Sequence, residues 1–65
     1  MPIVRVELFP GRSDEVKAEL ARELTATFER VASIPAEATT ILFSEVRPQE
    51  WFVAGKSYAS KTASE

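Results

Sequence analysis

The sequence predicts an α/β chain built as a single β-α-β unit, with parallel strands and a short C-terminal hairpin arm, and predicts that this unit assembles into an oligomer. Three observations predict it. Residues 3–9 (Ile-Val-Arg-Val-Glu-Leu-Phe) alternate and are rich in β-branched side chains, as a half-buried strand requires. Val16, Leu20, Leu24, Phe28 and Val31 then recur at steps of four, four, four and three, which places them on one stripe of a helix. A second β-branched run follows at residues 39–46.

In the first strand, Val4, Val6 and Leu8 share one face, and Ile3, Arg5, Glu7 and Phe9 share the other. Pro10-Gly11 ends it, because proline withholds a ladder donor and glycine accepts a tight turn. Ser13 or Asp14 supplies a side-chain oxygen for a helix N-cap, and Asp14 and Glu15 sit favourably beside the positive helix end. The helix runs to about Ala32, with Lys17, Glu19, Arg22, Glu23, Glu29 and Arg30 on its solvated side, and Ile34-Pro35 stops it. After the second strand, residues 47–50 form a turn and residues 51–54 the arm of a short hairpin before Gly55. From Lys56 onward the small polar residues predict a fraying end. A helical crossover of this length makes the two strands parallel, with a right-handed connection.

Residues 1–65 make one domain, near the lower limit for a chain that folds alone. There is no cysteine to staple it, and no histidine to serve as the commonest general base or metal ligand. Yet 45% of the residues are apolar, too many for a disordered segment. One helix covers one sheet face, so the other must be buried against another subunit. The net charge of −2 and the scattered basic residues argue against a nucleic-acid surface. No signal peptide and no membrane-length apolar run is visible, so the expected location is the cytoplasm.

Without histidine or cysteine, the unusual source of a base lies at the front. Methionine is normally trimmed when a small residue follows, which here would leave the secondary amine of Pro2 as the terminus. An ordinary terminal amine has a pKa of about 7.7–8.0, and an apolar pocket near cations lowers it by disfavouring the charged form. A neutral amine can then take a proton from a carbon beside a carbonyl, and the ring fixes its lone-pair direction. Arg12, just before a helix N-terminus, could join free backbone N–H groups on a carboxylate. Trp51-Phe52 could line a pocket, and Arg5, Arg47 and Lys56 are further candidate anion contacts. Each also has an ordinary reading: a Met-Pro start without catalytic meaning, solvated surface charges, interface aromatics.

Taken together, Met1-Pro2-Ile3, then Pro10-Gly11-Arg12-Ser13-Asp14-Glu15, Pro35, Glu45, Trp51 and Val53-Ala54-Gly55 resemble the 4-oxalocrotonate tautomerase family along essentially the full length. The resemblance implies a homohexamer, a trimer of dimers, with sites shared by neighbouring subunits and using neither cofactor nor metal. It implies an isomerase acting on a small enol or 2-oxo carboxylic acid, with Pro2 as base, Arg12 as carboxylate ligand and Trp51 as apolar wall. Relatives acting on dicarboxylates carry a second arginine where this chain has Thr40, and a hydroxyl cannot replace a bidentate cation. The substrate is then expected to carry one carboxylate, unless another cation reaches in. Two other readings stay open: a non-catalytic or partner-dependent subunit of a mixed hexamer, and a hydratase, dehalogenase or decarboxylase on the same scaffold. Dehalogenating and hydrating relatives place a water-activating glutamate near Val53, and Glu50 is the nearby carboxylate here.

Overall fold

Strand β1 (Ile3–Leu8), helix α1 (Asp14–Ala32), strand β2 (Thr40–Glu45) and a two-stranded arm, β3 (Phe52–Val53) with β4 (Lys56–Ser57), follow in the expected order in the computed structural model, which describes residues 1–59. Single 3₁₀ turns, Ala36–Ala38 and Pro48–Glu50, lead into β2 and out of it toward the arm. β1 and β2 pair in parallel from Ile3 opposite Thr40 to Leu8 opposite Glu45. Val4, Val6 and Leu8 are half-buried with Ile41 and Phe43, whereas Ile3, Arg5 and Glu7 form an open face with Thr40, Leu42 and Ser44. The strand ends at Leu8, one residue short of the expected span, and Phe9 joins an aromatic cluster.

The helix begins as its sequence dictates. Ser13 Oγ accepts from the Val16 N–H at 3.1 Å, satisfying one of the orphan donors of the first turn. It ends before Pro35 acts. Ser33 adopts a left-handed φ of 58°, its N–H donates to Glu29 O, and the Ile34 N–H reaches back to Phe28 O at 3.4 Å. A left-handed Ser33 whose N–H reaches the carbonyl four residues back is an αL cap, so Ser33 stops the helix and proline follows. The apolar stripe packs only in part. Leu24 and Phe28 are half-buried beside Ala21 and Thr25, but Val16 and Leu20 are exposed and Val31 is 73% exposed.

The C-terminal arm corrects a second expectation. Lys56 and Ser57, expected to fray, pair antiparallel with Val53 and Phe52. The reversal uses Ala54 and Gly55, with φ of 54° and 76°, the positive pair that a tight I′-type hairpin turn demands. Tyr58 is also ordered: its N–H donates to Trp51 O at 2.8 Å. The rest of the expected frayed end, residues 60–65, lies outside the described residues.

Among the described residues none is buried, apolar or polar. The chain exposes 5033 Å², against about 4100 Å² for a compact monomer of this mass. Its radius of gyration is 15.1 Å, where a compact chain of this length has about 11 Å. The excess is close to one partner's share of a standard interface, about 800 Å². Large apolar side chains stand open on the sheet face, the helix and the arm, where Ile3, Val31 and Phe52 are 64%, 73% and 62% exposed. Light scattering at micromolar concentration should therefore give a mass well above the monomer's; a folded monomer under those conditions would contradict the burial argument.

Candidate active site

The β1–β2 register sorts the sequence-predicted residues into two groups at opposite ends of the sheet. At one end, Pro2 is half-buried and its carbonyl accepts the Thr40 N–H at 3.0 Å, which locks the start of β1 to the start of β2. Met1 projects beyond this bond, almost wholly exposed at 93%. The Met1–Pro2 link carries no N–H donor, so cleaving it breaks no ladder hydrogen bond.

At the other end, Arg12 and Trp51 line one groove of about 510 Å³ together with Glu7, Leu8, Phe9 and Pro10. Trp51 is half-buried, with its ring 4.5 Å from Phe9 and 6.2 Å from Tyr58; Phe9 and Tyr58 stand 5.4 Å apart. These tilted ring pairs hold the indole as a rigid apolar wall. Phe9 and Tyr58 were not singled out as site residues from sequence. The signal for Tyr58 was an aromatic placed just after a Gly-containing turn, where a hairpin return folds it back.

The turn carrying Arg12 is held from below. Lys17, half-buried on the first turns of α1, bonds Glu45 Oε2 at the end of β2 at 3.0 Å and lies 3.8 Å from Asp14. Glu45 thus has a structural task, pinning the helix start to the sheet. Arg12, like Arg5, Arg30 and Lys56, makes no ion pair with a described residue, and of these four it is the one that lines the groove. An exposed, unneutralised guanidinium beside an aromatic wall suits a planar carboxylate. Among the other candidates, Arg47 Nε bonds Glu50 Oε1 at 3.4 Å on the turn after β2, which engages both, and neither lines the groove. Arg5 stands on the open sheet face opposite Leu42.

β1 separates the two groups. From Pro2 to Leu8 the strand advances about 20 Å, so Pro2 and Arg12 of one chain cannot touch the same small molecule. No helix among the described residues is long and apolar enough to cross a membrane.

The sequence model of a family described as "Tautomerase enzyme" matches residues 2–61. A protein of Streptococcus thermophilus named "Probable tautomerase" is 41% identical over 56 residues, 86% of this chain and 92% of that one. Among solved structures, TomN, a 4-oxalocrotonate tautomerase homologue in the tomaymycin biosynthetic pathway, is 39% identical, with a TM-score of 0.89 over 95% of both chains. A heterohexamer 4-oxalocrotonate tautomerase from Chloroflexus aurantiacus is also 39% identical, with a TM-score of 0.82 over 91% of this chain and 95% of that one. Family match, relatives and fold agree: this chain belongs to the 4-oxalocrotonate tautomerase family.

Proposed function

We propose that this protein is an isomerase that moves a proton between carbon atoms of a small enol or 2-oxo carboxylic acid. Pro2, freed of Met1, is the base; Arg12 binds the carboxylate; Trp51 keeps the pocket apolar. The observation that carries this reading is the groove in which an unpaired Arg12 meets the Trp51 wall, about one strand length from Pro2. Such a site is complete only when the Pro2 end of one chain meets the Arg12 end of another. The missing core of the single chain supplies the reason for them to meet. The assembly we propose is a homohexamer, a trimer of dimers, acting in the cytoplasm.

In the reaction the neutral pyrrolidine nitrogen accepts a proton from the substrate, leaving negative charge spread over the enolate. The guanidinium holds the adjoining carboxylate and draws that charge toward itself. The ring nitrogen, now protonated, returns its proton to a different carbon. Low polarity around the amine favours its neutral form and strengthens the attraction between guanidinium and enolate. Thr40, beside Pro2, brings a hydroxyl and no charge, so the substrate we propose has one carboxylate.

The test is complementation. Pro2→Ala and Arg12→Ala chains, each expected to retain only a small fraction of the activity, are unfolded together, refolded and assayed. Mixed oligomers contain some sites with both native residues, so part of the enol turnover should return. Failure of the mixture to exceed the separate variants would contradict a shared site. A second reading draws on Thr40 and the heterohexameric relative: this chain as one half of a mixed hexamer. Turnover by the pure chain refutes it.

A further inference from the structure

We infer that Glu7 is a second polar anchor of the Arg12 groove, selecting carboxylic acids that carry a hydroxyl or ammonium donor at their other end. The inference rests on the reading of Arg12 as carboxylate ligand, and it adds a substrate class to it. Glu7 lies on the face of β1 turned away from the helix, and it lines the same groove as Arg12 and Trp51. Glu7, like Glu15, Glu23, Glu29 and Glu37, meets no basic side chain within ion-pair distance among the described residues, and of these five it is the one that lines the Arg12 groove. Glu7 and Arg12 therefore share a groove without neutralising each other.

A guanidinium offers only donors, and an ionised carboxylate only accepts. A ligand with a carboxylate at one end and a donor at the other satisfies both. A plain alkyl acid would leave Glu7 facing a methyl group, stripped of water and unpaired. A dicarboxylate would set a like charge against it. This preference runs in the same direction as the missing cation at Thr40. The groove volume, about 510 Å³, accommodates a small bifunctional acid.

Trp51, the sole tryptophan, borders the groove and reports its occupancy by fluorescence. The probes are butyrate, 4-hydroxybutyrate and 4-aminobutyrate, which share a skeleton and differ in the terminal group. Wild type should bind 4-aminobutyrate about 10- to 100-fold more tightly than butyrate, the range for a charged hydrogen bond, with 4-hydroxybutyrate between them. Glu7→Gln, nearly isosteric, should remove most of the ammonium advantage, whereas Arg12→Ala should weaken all three. Equal binding of the three by wild type, no saturable response, or an advantage that survives Glu7→Gln would each overturn the inference. The wild-type order needs no variant, so a folding defect in Glu7→Gln leaves the test intact. Enol turnover is assayed on the same preparation. Turnover without the binding order overturns Glu7 alone, and the binding order without turnover overturns the tautomerase reading while upholding Glu7.

Discussion

Protein that retains Met1 should show no enzymatic turnover of an enol acid, and the same chain with Met1 removed should be active. With methionine attached, the Pro2 nitrogen is a tertiary amide: its lone pair is delocalised into the carbonyl, and it has no basicity to offer. Losing a general base alone costs about 10²- to 10⁴-fold, and no histidine or cysteine is present as a substitute. Pro2→Ala is the finer probe. It keeps a terminal amine after trimming, but a primary one that rotates about its N–Cα bond, so kcat should fall about 10- to 100-fold, a part of that general-base contribution. The fold should tolerate the change, because the bond that anchors this end runs from the Thr40 N–H to the backbone carbonyl of residue 2, which alanine also has. Intact mass identifies the terminus, light scattering the assembly, and kcat the effect. Full activity in protein whose mass includes Met1 would end the role given to Pro2.

The parts of the fold legible in the sequence were those governed by short-range periodicity and sterics. Alternation over residues 3–9, the Ser13 or Asp14 cap and the apolar stripe each report a local preference; the ladder is found over Ile3–Leu8, the cap at Ser13 and the helix over Asp14–Ala32. The errors have another character. The stripe shows which residues are apolar but not what covers them, and in one chain Val16, Leu20 and Val31 are left open. The return strand Lys56–Ser57 is polar and only two residues long; it exists because Ala54 and Gly55 reverse the chain and Tyr58 closes on Trp51 and Phe9. Long-range packing of that kind leaves no periodic trace. The residues singled out for the site were readable as motifs, but their separation was not. Only the parallel register shows that Pro2 shares an end of the sheet with Thr40 and that the Arg12 and Trp51 groove belongs to the other. Glu7 escaped notice because an alternating strand gives every polar residue on its outer face an ordinary explanation.

Arg12→Ala should cost about 2–4 kcal/mol of transition-state stabilisation, or about 30- to 1000-fold in kcat/KM, the range for losing a well-placed charged donor in a dry site. The size follows from its surroundings: an unpaired guanidinium facing a groove walled by Phe9, Pro10 and Trp51 has no substitute among the residues that line it. The role we propose for Thr40 concerns the complementary question of how many carboxylates the substrate bears. Thr40 opens β2 on the exposed face opposite Ile3, and its N–H, not its side chain, holds Pro2. Thr40→Arg can therefore add a cation at the Pro2 end without breaking that bond. Arg5, diagonal to it on the same face, would raise the positive charge there further. Wild type should handle a monocarboxylate enol better than a dicarboxylate, and Thr40→Arg should shift the ratio of kcat/KM toward the dicarboxylate. Arg12→Ala should lower both values, since either substrate needs its first carboxylate held. The measurement is kcat/KM for one substrate of each kind, in wild type and both variants. Unchanged values in Arg12→Ala would remove the carboxylate role from Arg12 and make a partner-dependent subunit the better account. An unchanged ratio in a soundly assembled Thr40→Arg would show that the second charge of a dicarboxylate never reaches the Pro2 end of the sheet.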